Sequence, residues 1–144
     1  MVDMEVQGDA PLGYLLSRAV TRLRTEVTDG LRPLGLTFPQ YICMRVLAAR
    51  PGMSSAELAR AVNVSPQAMN IVLRGLEDMG AVSRPPSVPV GRALPARLTT
   101  AGVALLERTD AVVQRAESRV LSGLTNDERR ELRRMLASAG AAED

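Results

Sequence analysis

Residues 54–84 read SSAELARAVNVSPQAMNIVLRGLEDMGAVSR. Two helix starts are written into this stretch. Ser54 or Ser55 caps the first, and Ser54 with Glu57 has the spacing of a capping box, in which each side chain satisfies the other residue's backbone N–H. Ser65 followed by Pro66 marks the second: a hydroxyl cap, then a residue whose fixed φ suits the first helical turn. Asn63 and Val64 leave room only for a tight turn between the two. The second helix is expected to stop at Gly80. Helix, tight turn and helix together make a helix-turn-helix candidate.

The second of these helices has two distinct faces. Met69, Val72, Leu73 and Leu76 recur at i, i+3, i+4 and i+7 and form a face to be buried. Gln67, Asn70, Ile71 and Arg74 share the same spacing on another side. An ordinary solvated face is richer in Glu and Lys. This one offers two amides, a guanidinium and an apolar side chain. Amides pair bidentately with adenine, arginine pairs with guanine, and an aliphatic group can touch the thymine methyl. The helix N-terminus adds backbone N–H groups that suit a phosphate, and Ser65 can donate to one. Ser65, Pro66, Gln67, Asn70, Ile71 and Arg74 are therefore the candidate DNA contacts.

Downstream the pattern changes. Pro85, Pro86, Pro89, Gly91 and Pro95 forbid a helix, and Val82–Arg84 and Leu94–Leu98 are expected as two short antiparallel strands. Between them lies a loop with Arg92 at its tip. Such a hairpin is a wing, able to place a guanidinium in a minor groove. Arg84 and Arg92 join the candidate contacts. Upstream, Asp9 and Pro11 open a helix with apolar residues at Leu12, Leu15, Leu16, Ala19, Val20, Leu23 and Val27, ending between Gly30 and Gly35. Thr37 and Pro39 open another, stopped by Pro51 and Gly52. A long helix starts at Thr99 or Thr100. Thr125 and Glu128 make a second capping box before a last helix whose stripe is Leu132, Met135 and Leu136.

Composition narrows the function classes. The chain has 144 residues, no His, one Cys and a net charge of +2. Without His, most metal sites and the commonest acid–base catalyst are excluded, and no nucleophile sits beside a base. Glu77 and Asp78 read as solvated charges. No apolar run is long enough to span a bilayer and no signal peptide is evident, so a cytoplasmic protein is expected. All 18 basic residues are arginine, which fits the codon usage of a GC-rich genome as well as it fits phosphate and guanine binding.

These segments resemble the MarR family of winged-helix regulators. The resemblance rests on residues 54–84 and on GRALPARLTTAG at 91–102. Leu76, Glu77, Gly80, Val82 and Arg84 match one recurrent family run, and Leu98, Thr99 and Gly102 match another. Leu36–Gln40 resembles the start of the family's second helix. Asn70-Ile71 stands where the family often has Thr-Arg, which implies different base contacts. Val90 replaces the wing aspartate that often accompanies the residue at Arg92.

The fold expected is mainly α with a small β-wing: an N-terminal arm and dimerisation helix (1–35), a winged helix-turn-helix lobe (36–100) and C-terminal dimerisation helices (101–144), in one continuous domain. One helix-turn-helix unit covers little DNA, so two copies on a pseudo-palindromic operator are expected. Leu121, Leu124, Leu132, Met135 and Leu136 are the candidate dimer interface. The resemblance further implies repression relieved by a small aromatic carboxylic acid or phenol bound between the dimerisation helices and the DNA-binding lobe. Tyr14, Ser17, Arg18, Tyr41 and Arg45 are the candidate ligand residues, with no other cofactor and no metal. Two alternatives stand beside this reading: a winged helix that binds protein instead of DNA, and a redox-sensing regulator built on Cys43. Cys43 lies among Ile42, Met44 and Val46 and reads as an inert core thiol, whereas the redox cysteine of some family members lies in the first helix.

Overall fold

A computed structural model of the chain describes residues 9–85 and 95–141. Arg92, Val90 and the rest of the wing tip lie outside the described residues, as do the strand start at Leu94 and most of the acidic arm. The elements follow the expected order. Helix α1 (Leu12–Leu31) runs into a 3-10 turn (Arg32–Leu34), followed by α2 (Phe38–Ala49), β1 (Met53–Ser54), α3 (Ser55–Val62) and α4 (Pro66–Asp78). Strands β2 (Val82–Ser83) and β3 (Pro95–Leu98) precede α5 (Thr100–Val120) and α6 (Asn126–Ala139).

Helix starts lie where the caps predict them. The side chains of Thr37, Ser54 and Thr125 each accept the N3 backbone N–H, and their own backbone N–H groups donate to the N3 side-chain oxygen, completing three capping boxes. Of the two serines, Ser54 is the cap of α3. Ser65 Oγ accepts the Ala68 N–H at 3.1 Å, with Pro66 as the first residue of α4. Asn63 closes α3 in the left-handed region, φ 58°, a conformation Asn tolerates because its short polar side chain bonds locally.

The sheet has one strand more than the sequence suggested. Strand order is β1-β3-β2, all antiparallel, with Met53 opposite Ala96 and Val82 opposite Leu98. A two-residue strand overlapping a helix cap has no periodicity to betray it. Its burial is tertiary in origin: Met53, Val82 and Ala96 all face the core.

The chain divides into two compact units, Val27–Val113 and the described parts of Met1–Glu26 with Gln114–Asp144. The divisions expected at 35/36 and 100/101 fall near the end of α1 and the start of α5, and both helices continue across the unit boundary. The first unit holds nearly all the core: Leu31, Met44, Leu47, Leu58, Met69, Leu73 and Leu76 are fully buried. Small residues let its helices close up. A methyl on Gly30 would lie 2.5 Å from Val112 Cγ1, and one on Gly75 the same distance from Gln40 Nε2. The second unit is different. Among its described residues only Ala116 is buried, and α6 buries none.

Candidate nucleic-acid interface

Helix α4 is held by one face and presents the other. Met69, Leu73 and Leu76 are buried, while Val72 is partly covered. Ser65, Pro66, Gln67, Asn70, Ile71 and Arg74 are all exposed. Ile71 is 71% exposed, a high value for an aliphatic side chain on a helix so firmly seated. A single exposed aliphatic is ordinary on a protein surface, but this one shares its face with two amides and a guanidinium.

Both ends of α4 are fixed by backbone chemistry. At the start, Ser65 is the cap, and its hydroxyl hydrogen can still be donated outward. At the end, Gly80 takes φ 74° and donates its N–H to Glu77 O, while the Ala81 N–H reaches back to Leu76 O at 2.9 Å. This pair of bonds is the Schellman arrangement, which needs a residue at ease in the left-handed region. The run Leu76-Glu77-x-x-Gly80-x-Val82-x-Arg84 is thereby explained: a carbonyl and core side chain, an acid, a left-handed stop, a buried strand residue and a base.

The acid and the base meet, and this corrects one expectation. Arg84 Nε donates to Glu77 Oε1 at 2.8 Å, and the Arg84 side chain is only 16% exposed. Its guanidinium ties the wing's first strand to the last turn of α4, which gives this candidate contact a structural role as well. Glu77 is correspondingly a paired group, half-buried, and not a solvated charge. On the other wing strand Arg97 is exposed, with its guanidinium over Gly52, where a Cβ would meet Nη2 at 3.1 Å. The sequence alone assigns Arg97 no role. Its outward register opposite Ser83 is a consequence of strand pairing.

The candidate ligand residues fall into two groups. Tyr14, Ser17 and Arg18 line one open cavity of about 520 Å3 on α1, together with Arg22, Val120 and Leu121. The Arg18 guanidinium carbon lies 5.9 Å from the Tyr14 ring centre, within cation–π range. Tyr41 and Arg45, one turn apart on α2, converge on Asp110 of α5. Asp110 carried no signal in the sequence, because its partners lie about 65 residues away in the chain. Of the candidate interface residues, Leu121, Leu132 and Leu136 line a groove of about 760 Å3 with Leu16, Val20 and Leu23. Met135 and Leu136 are among the most exposed large apolar side chains.

Cys43 is fully buried, its Sγ 4.0 Å from Met69 Sδ. Burial pushes the thiol up to about 11, so the reactive thiolate is scarce near neutral pH.

Helix, tight turn, seated helix with an outward polar face and an antiparallel wing define a winged helix-turn-helix regulator. Residues 34–93 match the sequence model of the MarR family. The HTH-type transcriptional repressor Rv2887 of Mycobacterium tuberculosis is 56% identical over 138 residues, 96% of this chain and 99% of the relative. The crystal structure of the M. tuberculosis MarR family protein Rv2887 in complex with DNA matches with a TM-score of 0.80 at 55% identity, covering 92% of this chain and 99% of that one. The complex of Rv2887 with salicylic acid matches with a TM-score of 0.75 at 55% identity, covering 96% and 99%. This chain belongs to the MarR family of transcriptional regulators.

Proposed function

We propose that this chain is a dimeric, cytoplasmic repressor that lays α4 in the major groove of a pseudo-palindromic operator and is relieved by a small aromatic acid. It binds and releases DNA and carries out no catalysis. The exposed face of Gln67, Asn70, Ile71 and Arg74 carries the reading. Each side chain there has a partner chemistry on a base edge, and the buried Met69, Leu73 and Leu76 hold the face rigid. A relative 55% identical has been crystallised with DNA, which supports the same use of the helix here.

Dimerisation follows from the physics of the second unit. Helical segments whose described residues bury one side chain between them cannot offset the entropy of ordering their chain. Leu121, Leu124, Leu132, Met135 and Leu136, with the groove walls on α1, supply the apolar surface that a second copy covers. Two copies set two α4 helices on half-sites about one helical turn apart.

The effector reading rests on Tyr14 with Arg18 and on Tyr41 with Arg45. Each pair combines an aromatic ring with a guanidinium, which suits a ring bearing a carboxylate. The salicylic acid complex of Rv2887 supports this ligand class. Selection of bound genomic fragments by the full chain, with and without salicylate, tests the whole reading. A few palindromic fragments, lost as salt or salicylate rises, are expected. Retention of no fragment overturns it.

A further inference from the structure

Tyr41 and Arg45 do not stand open to an incoming acid. One carboxylate already engages both. The Tyr41 hydroxyl donates to Asp110 Oδ1 at 3.2 Å, and Arg45 Nη1 lies 3.5 Å from Oδ2. Each oxygen of a single carboxylate meets one donor, which is the pattern an aromatic acid would make with the same two side chains.

Three features make this contact exchangeable. Both distances exceed the roughly 2.7–2.9 Å of a firm charge-assisted bond. The Arg45 side chain is 54% exposed and that of Asp110 33%, so water and small solutes reach the pair. Exposed ion pairs also contribute little net energy, so another carboxylate can replace one. Asp110 nevertheless imposes a cost on any anion. It neutralises Arg45, and it sets a like charge a few ångströms from where the anion must sit.

We propose that Asp110 is an internal competitor for the effector's carboxylate and sets the concentration at which an acidic effector binds. The proposal rests on the reading of Tyr41 and Arg45 as effector residues. Acids strong enough to remain ionised must displace Asp110 from Arg45. Uncharged aromatic ligands can accept only a neutral hydrogen bond from Arg45 and meet no charge repulsion from Asp110.

Calorimetric titration of the dimer with salicylate and with uncharged salicylamide tests this. Asp110→Asn keeps the side-chain shape and an acceptor for Tyr41 while removing the charge. It should bind salicylate about five- to tenfold more tightly than wild type, while salicylamide, which carries no charge for Asp110 to repel, gains no such affinity. Asp110→Ser, which also removes the charge, should shift salicylate in the same direction if Asp110→Asn folds poorly. Unchanged or weaker salicylate binding by both variants, with Arg45→Ala still abolishing it, overturns the proposal and leaves the effector site standing. Salicylate affinity that Arg45→Ala does not alter overturns the site itself, and the proposal with it.

Discussion

Gly102 shows how a single residue can decide a junction. A methyl there would lie 2.0 Å from the Ala81 carbonyl oxygen, an atom the backbone cannot swing aside. The same carbonyl accepts the Thr99 N–H at 3.0 Å, and Thr99 Oγ1 in turn caps the Gly102 N–H at 3.0 Å. Leu98-Thr99-x-x-Gly102 is thus a lock between the end of the wing and the start of α5. Gly102→Ala should cost about 1–3 kcal/mol or more through overpacking, read as a lower urea midpoint with an unchanged slope. Cys43 allows a second prediction at this scale. A thiol buried beside Met69 and pushed up to about 11 should resist alkylation in the native protein. Peroxide should affect operator binding equally in wild type and Cys43→Ser; protection by Cys43→Ser would restore the redox reading. Motif residues such as Gly80 and Gly102 were visible in the sequence as a spacing. The reason for them was not, since the oxygen that excludes a side chain at Gly102 comes from another element.

At the scale of elements, helix starts were the most legible feature, because a cap is a local bond between residues three apart. The capping boxes also make stability depend on pH. Glu57 accepts the Ser54 backbone N–H, and that bond, with the Ser54 hydroxyl, holds its carboxyl below the usual 4.5. Glu128 is lowered in the same way by Thr125. A carboxylate favoured in the folded state contributes stability above its unfolded value and loses it as pH falls through the lower folded value. Urea midpoints should therefore drop between about pH 5 and pH 3, and less steeply in the Glu57→Gln, Glu128→Gln double variant, which keeps the acceptors without the charge. Helix α4 carries the functional prediction. Asn70→Ala and Arg74→Ala should each cost about 1–3 kcal/mol of operator binding and relax preference at one base position, while the fold is unchanged. The faces of α4 were readable from a 3.6-residue period. Strand β1 and the Arg84–Glu77 pair were not: both depend on which segments meet in space, and a carboxylate on a helix looks solvated until its partner arrives.

The whole molecule is built unevenly. Val27–Val113 contains a dense core around Leu31, Met44, Leu58 and Leu73, whereas α6 buries none of its residues and carries its apolar stripe outward. The amphipathic stripe was legible in the sequence from Leu132, Met135 and Leu136, which follow a capping box at helical spacing. The groove it shares with α1 was not, because that depends on the packing of chain ends far apart in sequence. Leu132→Arg together with Leu136→Glu should place charge in that groove and yield a monomer at micromolar concentration by sedimentation, with operator affinity reduced at least tenfold as two half-site contacts become one. A double variant that stays dimeric would move the interface elsewhere.

The reading of α4 is tested most directly by comparing the binding-site logos selected from random DNA by wild type and by Asn70→Ala under one salt condition. A side chain that reaches a base edge should leave a symmetric pair of positions degenerate when it is removed, with the other positions retained. Identical logos for the two proteins would mean that the exposed face of α4 does not read sequence.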